Sequence, residues 1–432
     1  MSKSAQIITL GCSKNTVDSE KLLKQLEYSG YKPLTGRNSD EKPDVVIVNT
    51  CGFINDAKEE SVNTILELIE AKKRGELGKL FVMGCLSERY MDVLQEEMPE
   101  ADMYFGVNKP DEILNHLQSS YHRFLETERI LTGPSYYAYL KVSEGCNRNC
   151  SFCAIPGIRG RYVSRPLEEL VDEAMILTGK GVKELILIAQ DLTYYGVDLY
   201  KKPMLVSLCR EILKNTDISW LRLHYLYPDS VSHELLQLIK DSPQICNYID
   251  IPIQHISDNI LSRMKRNHSG HDTRELLSHI RTCLPEAAIR TTLITGFPGE
   301  TDDDFRALHD FVSEFRFDRL GVFTYSHEDG TPAFAFKDDI PEKIKRERAD
   351  EIMAVQQEIS LQGNISLAGE KMRVIIDRKE GEYFIARSEY DSPEIDQEIL
   401  IESDKYELYP GDFCNVLITD ATEFDLKASP SP

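Results

Sequence analysis

Three cysteines stand close together at Cys146, Cys150 and Cys153, in the stretch SEGCNRNCSFCAIPGIRGR at 143–161. The spacing is C-x3-C-x2-C. The start of the chain, MSKSAQIITLGC, has no apolar core of signal-peptide length and no small-residue cleavage site, so a reducing cytoplasm is the expected compartment. There, clustered thiols read as metal ligands or redox groups rather than disulfides. Iron–sulfur clusters are held by cysteine thiolates, usually four. Three leave one iron open, and an open coordination position is how a metal centre does chemistry rather than hold structure. The spacing points to a cluster whose fourth ligand belongs to a substrate. A zinc site would need a fourth protein ligand nearby, and the candidates by type, His224 and His255, lie in other parts of the chain.

A second set is dispersed. Cys12 follows the apolar run IITLG (7–11), Cys51 follows VVIVNT (45–50) and Cys85 follows LFVMG (80–84). With MYFGV (103–107), these runs alternate with amphipathic segments such as SEKLLKQLEYSG (19–30) and EESVNTILELIEAKKRG (59–75). That rhythm implies βαβ units and a parallel sheet. Three parallel strands then carry a cysteine at the same end, where such sheets collect ligands. One such cysteine would be an ordinary small buried residue. Three at equivalent positions make a second three-thiolate site.

The first set is positioned by another series of runs: YYAYLKV (136–142), ELILIAQ (184–190), WLRLHY (220–225), YIDIPI (248–253), AIRTTLI (288–294) and RLGVFTY (319–325). Each precedes a helical pattern. Six βα units predict an open barrel, a partial relative of the eight-unit form. Gln190 and Asp191 end its second strand, Arg222 and Gln254 lie at or near the ends of later ones, and TGFPGET (295–301) is a turn-rich loop after the fifth. Arg159 and Arg161, beside the cysteines, either pair with a carboxylate or are simply solvated. A long polar helix (341–362) closes this region. The short alternating runs that follow predict a small all-β barrel, with the tail KASPSP expected to be disordered. Cys209, Cys246, Cys283 and Cys414 are isolated and read as buried packing.

The chain has 432 residues, 41% hydrophobic and 28% charged, as a soluble globular protein does, and its longest apolar runs are far too short to span a bilayer. Net charge is −22, which favours a basic partner over bare nucleic acid.

C-x3-C-x2-C with an aromatic, Phe152, before the last cysteine resembles the radical S-adenosylmethionine (SAM) superfamily. LGCSKNTVDSE, NTCGFI, GCLSERY and EGCNRNCSFCAIP resemble its methylthiotransferase branch, and the resemblance covers essentially the whole chain. It implies a methylthiotransferase N-terminal domain (1–125), a radical SAM domain (132–363) and a TRAM domain (364–432). It implies that Cys146, Cys150 and Cys153 hold a 4Fe–4S cluster that chelates SAM through its amino and carboxylate groups and cleaves it to a radical. Cys12, Cys51 and Cys85 would hold an auxiliary 4Fe–4S cluster carrying the sulfur, with one SAM as methyl donor and another as radical source. Phe152, Gln190, Arg222 and Gln254 would lie in the SAM region, and an electron donor such as flavodoxin or ferredoxin would be needed. No acid–base pair is assigned beyond the cluster ligands, because the difficult chemistry belongs to the cofactors.

Methylthiotransferases divide by substrate: an adenosine of transfer RNA, or the β-carbon of an aspartate in ribosomal protein twelve of the small subunit. Residues 364–432 hold 16 Asp and Glu against 7 Lys and Arg, and 388–412 holds nine acidic residues against one lysine. Such a surface repels phosphate and attracts a basic ribosomal protein, so direct nucleic-acid binding is disfavoured. LGCSKNTVDSE and ARSEYDSPEID resemble the ribosomal-protein branch, whereas transfer-RNA enzymes of the MiaB type tend to read G-C-Q-M-N at the first cysteine. The rivals are that transfer-RNA activity, an electron carrier with a fourth protein ligand, and a module with structural zinc.

Overall fold

Val45–Thr50 is buried at all six positions, as expected of a strand flanked by strands and covered on both faces. The computed structural model, which describes residues 3–35, 41–404 and 406–431, shows how. Strands β1 (Ser4–Thr9), β2 (Lys32–Leu34), β3 (Val45–Thr50), β4 (Lys79–Gly84) and β5 (Met103–Tyr104) form a parallel sheet of order β2-β1-β3-β4-β5. Alternation along β3 divides the core. Val45 and Ile47 pack with Leu22 and Leu26 of α1 (Ser13–Tyr28), while Val46 and Val48 pack with Ile65 and Ile69 of α2 (Asn55–Lys73) and Leu94 of α3 (Cys85–Glu97). A short α4 (Pro110–His116) completes the first face.

The chain then forms six parallel strands in sequence order: β6 (Tyr137–Lys141), β9 (Glu184–Ile188) and β10 (Trp220–Leu223), then β11 (Tyr248–Asp250), β12 (Ala288–Thr295) and β13 (Arg319–Thr324). A Leu221–Ile245 bridge joins the two halves. Between β6 and β9 lie a two-residue hairpin, β7 (Ser143–Glu144) with β8 (Val163–Ser164), and helices α5 (Ile155–Arg159) and α6 (Leu167–Gly179). The remaining outer helices are α7 (Val197–Tyr200), α8 (Leu205–Asn215), α9 (His233–Asp241), α10 (Asp258–Arg263), α11 (Gly270–Cys283) and α12 (Asp302–Phe315). Thr301 and Asp304 form a capping box that starts α12 from the TGFPGET turn. Leu185 and Leu187 face the helices, and Ile186 and Ile188 face inward.

Helix α13 (Glu342–Ser366) runs along β12 and β13 into a closed five-stranded barrel of order β14-β15-β16-β18-β17: β14 (Lys371–Glu380), β15 (Tyr383–Ser388), β16 (Glu398–Glu402), β17 (Phe413–Ala421) and β18 (Asp425–Pro430). The expected disordered tail is therefore wrong as far as Pro430. KASP lies in β18, which pairs with both β16 and β17. Its polar composition hides the alternation that matters, since Leu426 and Ala428 are buried and close the barrel.

The acidic segment also departs from expectation. Much of 388–396 turns into the inward face of the six-stranded barrel, while Glu394 and Ile395 stay exposed. Asp391 accepts from Arg319 (2.9 Å), Glu394 from the Tyr137 hydroxyl (2.9 Å) and Asp396 from the Tyr248 hydroxyl (2.6 Å), and Asp396 lies 3.5 Å from Arg290. Phe413 meets Trp220 edge-on at 4.8 Å between centroids.

Candidate functional site

The neighbours β1, β3 and β4 each end on one cysteine of the dispersed set. Cys12 sits at the start of α1, Cys51 directly follows β3, and Cys85 is the first residue of α3. Gly11 has φ +89°, and a Cβ there would lie 2.6 Å from Cys51 Cβ and 2.9 Å from its Sγ, so only glycine lets the two cysteine loops approach. Asn15 Nδ2 ties them together by donating to Leu10 O (2.8 Å) and Thr50 O (3.2 Å). Burial pushes the Cys51 thiol up, with the neighbouring Cys12 adding to it. Burial pushes Cys85 up to about 12, with Arg159 opposing.

Cys146, Cys150 and Cys153 lie on the loop between β7 and α5. Cys146 N–H donates to Gly160 O (3.1 Å), Ser151 N–H to Met264 O (2.9 Å) and Ser151 Oγ to Arg263 O (2.7 Å), so the loop is tied at its start and in its middle. Burial pushes Cys146 up to about 11 and Cys153 up to about 12, with Cys150 adding to both and Cys146 adding to Cys153. Phe152 packs against the apolar cluster of Ile260, Met264, Phe297 and Tyr325.

The sequence did not single out Arg266 and Tyr227. Arg266 Nη1 lies 3.6 Å from Cys150 Sγ, and the Tyr227 hydroxyl lies 4.0 Å from it. Arg148 and Arg266 both sit over the Tyr227 ring, at 3.7 and 4.2 Å. These residues come from separate βα loops, and no local pattern links them. Asp191 is buried at the same mouth and accepts from Arg148 Nε (2.7 Å). Gln190 is half-buried beside it. Tyr225 and Gln254 both hold left-handed backbone, φ 63° and 72°, just past β10 and β11. Such strain in non-glycine residues gathers at functional sites.

Arg222, expected in the SAM region, is placed elsewhere. It is fully buried, donates to Glu184 Oε1 (2.8 Å) and Glu389 O (2.8 Å), and so seats the C-terminal barrel. The zinc alternative gains nothing from the histidines. His224 Nε2 is 3.0 Å from Ser392 Oγ, and His255 accepts from Ser257 N–H and lies 3.5 Å from Glu300. Cys209 and Cys246 are buried, whereas Cys414 is half-buried and Cys283, half-buried at the end of α11, lies beside His279 (3.6 Å).

The two cysteine sets are joined. Cys85 shares an apolar cluster with Val107 of its own domain and with Ala154 and Ile158 of the barrel. Beside it, Arg159 donates to Asn15 Oδ1 (2.6 Å), Glu144 (2.8 Å) and Asp18 (3.1 Å), and Lys141 pairs with the same two carboxylates. Arg161 is exposed and forms no ion pair among the described residues. A second seam joins Arg89 and Lys58 of the first domain to Glu328 (2.9 and 2.8 Å).

Residues 140–312 match the radical SAM superfamily, 4–106 an uncharacterized protein family, UPF0004, and 368–430 the TRAM domain. The fold is similar to that of the radical SAM methyltransferase TsrM from Kitasatospora setae, with TM-score 0.57 at 15% identity over 82% of this chain and 91% of that one. It is also similar to the cobalamin-dependent radical enzyme OxsB, with TM-score 0.51 at 14% identity over 83% and 56%. Among curated proteins, the ribosomal protein uS12 methylthiotransferase RimO of Bacteroides fragilis is 52% identical over 98% of both chains. That of Flavobacterium johnsoniae is 50% identical over 98% of this chain and 97% of its own length. The chain belongs to the RimO family. It is a radical SAM methylthiotransferase.

For a RimO-family enzyme the donor chemistry fits the cofactors. Each cysteine set offers three thiols and none of the six is in a disulfide. Arg266 and the Arg148 N–H, 3.3 Å from Cys146 Sγ, are donors of the kind that tune cluster sulfurs.

Proposed function

We propose that this chain attaches a methylthio group to the β-carbon of an aspartate in ribosomal protein uS12. The observation that carries the reading is the pair of three-thiol sets meeting at Cys85, Ala154 and Ile158, in a chain half identical to uS12 methylthiotransferases over nearly its whole length. In this reading Cys146, Cys150 and Cys153 hold one 4Fe–4S cluster and Cys12, Cys51 and Cys85 the other. When bound, the first supplies the electron that cleaves SAM and the second the sulfur that is transferred.

The chain's own residues do the rest. The Arg159–Asp18–Glu144–Lys141 network fixes the N-terminal domain over the barrel mouth. Phe152, Gln190 and Gln254 border the SAM region, with Asp191 held by Arg148. Val17 of α1 joins Ile186 and Ile188 on the barrel's inner face and helps exclude water from it. We assign residues 1–125, 132–363 and 364–432 to the three domains. The exposed acidic groups Glu394, Asp404 and Glu407 suit a basic ribosomal protein, and a flavodoxin or ferredoxin would supply electrons.

The test is a paired anaerobic assay. Reconstituted protein with SAM, sulfide and reductant receives either uS12 or transfer RNA, and both are read by mass spectrometry. Methylthio-aspartate that disappears in Cys51→Ala supports the reading, whereas modified adenosine with unmodified uS12 overturns it.

A further inference from the structure

Eight lysine and arginine side chains are buried among the described residues: Lys14, Arg129, Lys141, Arg159, Arg222, Lys345, Arg348 and Arg387. Seven lie within ion-pair distance of a carboxylate. Lys14 does not. It is 5% exposed, and its Nζ has no ion pair or hydrogen bond among the described residues. Its one polar contact is with the Tyr225 ring, 3.4 Å from Nζ to the centroid. The cation–π contact engages one side of the ammonium, and Nζ is not among the fully buried side-chain atoms left without a partner, so its N–H groups open onto the space beside Tyr225, where a ligand carboxylate can reach them.

The position says which ligand. Lys14 is two residues from Cys12 on the first turn of α1, and Val17, one turn on, packs against the barrel's inner face. Tyr225 follows β10 at the barrel mouth, in left-handed backbone with its N–H donating to Asp250 (2.9 Å). The ammonium therefore lies at the seam between the dispersed cysteine set and the mouth, where a residue receiving sulfur on its β-carbon must be held. Other cations near that seam have partners of their own: Arg159 and Lys141 pair with Asp18 and Glu144, Arg148 with Asp191 and Asp229, and Arg290 with Asp250, while Arg266 donates to Pro252 O (2.7 Å) and faces Cys150, and Arg161 is exposed. Resting on the uS12 reading, we propose that Lys14 is the positioning and specificity residue that binds the side-chain carboxylate of the target aspartate. It leaves the adjacent β-carbon facing the mouth and selects aspartate over its amide.

The experiment uses iron-loaded enzyme and two labelled peptides of the uS12 loop, one with the target aspartate and one with asparagine in its place. Affinities are read by anisotropy. Wild type should prefer aspartate by about 10- to 100-fold, the range for a desolvated charge pair. Lys14→Met should bring the ratio to about one, and Lys14→Arg should keep part of it. A ratio within one variant cancels any general loss of binding, and iron content reports whether the clusters survive. The proposal is overturned if wild type binds both peptides alike, if Lys14→Met keeps the preference, or if Lys14→Met changes the KM for SAM and not the peptide ratio. If wild type does not modify uS12 at all, it is the underlying functional reading that fails.

Discussion

Replacing Arg159 by methionine should separate the two cysteine sets energetically. The Arg159 side chain is 1% exposed and shares Asp18 and Glu144 with Lys141, so two cations balance two carboxylates in a buried network. Methionine keeps most of the length but leaves one negative charge in excess. Removing one partner of a buried pair costs roughly 3–5 kcal/mol. At roughly 2–4 °C per kcal/mol for a unit of this size, the first thermal transition should fall by about 6–20 °C at neutral pH. The pH dependence identifies the cause. Burial alone would raise the Glu144 carboxyl; Lys141 and Arg159 overcome that and hold it at about 2. In wild type the network's contribution is therefore present above the unfolded carboxylate range, near 4.3, and is lost only as pH falls towards 2. Without Arg159 the burial penalty gains ground, the carboxyl moves up, and protonation relieves the surplus charge. The gap in melting temperature should then narrow between pH 7 and pH 5. Differential scanning fluorimetry of both proteins across that range is the assay. A gap that is absent at neutral pH, or constant down to pH 5, would refute the reasoning.

Cys51→Ala and Cys150→Ala should each lose about half of the bound iron, and only Cys150→Ala should abolish SAM cleavage, as measured by iron content and by chromatography of the cleavage product. Cluster assembly should speed up as pH rises from 7 to 9, because burial holds Cys85 near 12 and Cys146 near 11 and ligation must release those protons; reconstitution followed by visible absorbance checks the sign. Ending the chain at Phe424 removes β18 and leaves β16 and β17 as open edges, so soluble yield should collapse and light scattering rise. Asp391→Ala strands the Arg319 guanidinium on the barrel's inner face and should cost about 3–5 kcal/mol, seen as earlier proteolysis of the C-terminal barrel.

Local spacing made Cys146, Cys150 and Cys153 legible, because one loop carries all three. Cys12, Cys51 and Cys85 were legible through the βα rhythm: when each strand ends on a cysteine, parallel pairing alone brings them together. Arg222 was misplaced because strand position does not say to which end a long side chain leans, and Glu184 pulls it away from the mouth. Arg266 and Tyr227 reach Cys150 from different βα loops, a juxtaposition that only the closed curvature of the barrel creates. The tail was misread because Ser and Pro outweigh two buried residues in composition, although Leu426 and Ala428 decide the strand.

The acidic C-terminal region shows why net charge does not map directly onto partners. Six βα units leave the inner face of a barrel uncovered, and its lining here mixes apolar groups (Ile186, Trp220) with cations (Arg222, Arg290). A purely apolar plug would strand those guanidinium groups, which is costlier than leaving them in water. The plug that fits is apolar and acidic together: Ile375, Phe413 and Tyr390 meet the apolar patches, while Asp391 and Asp396 take Arg319 and Arg290. Asp391 and Asp396 are thus spent inside the molecule, while Glu394, Asp404 and Glu407 stay exposed. The barrel residues the plug meets, Tyr137, Glu184, Trp220 and Tyr248, are the first residues of their strands, so the C-terminal domain fills the barrel from the end opposite the cysteine mouth.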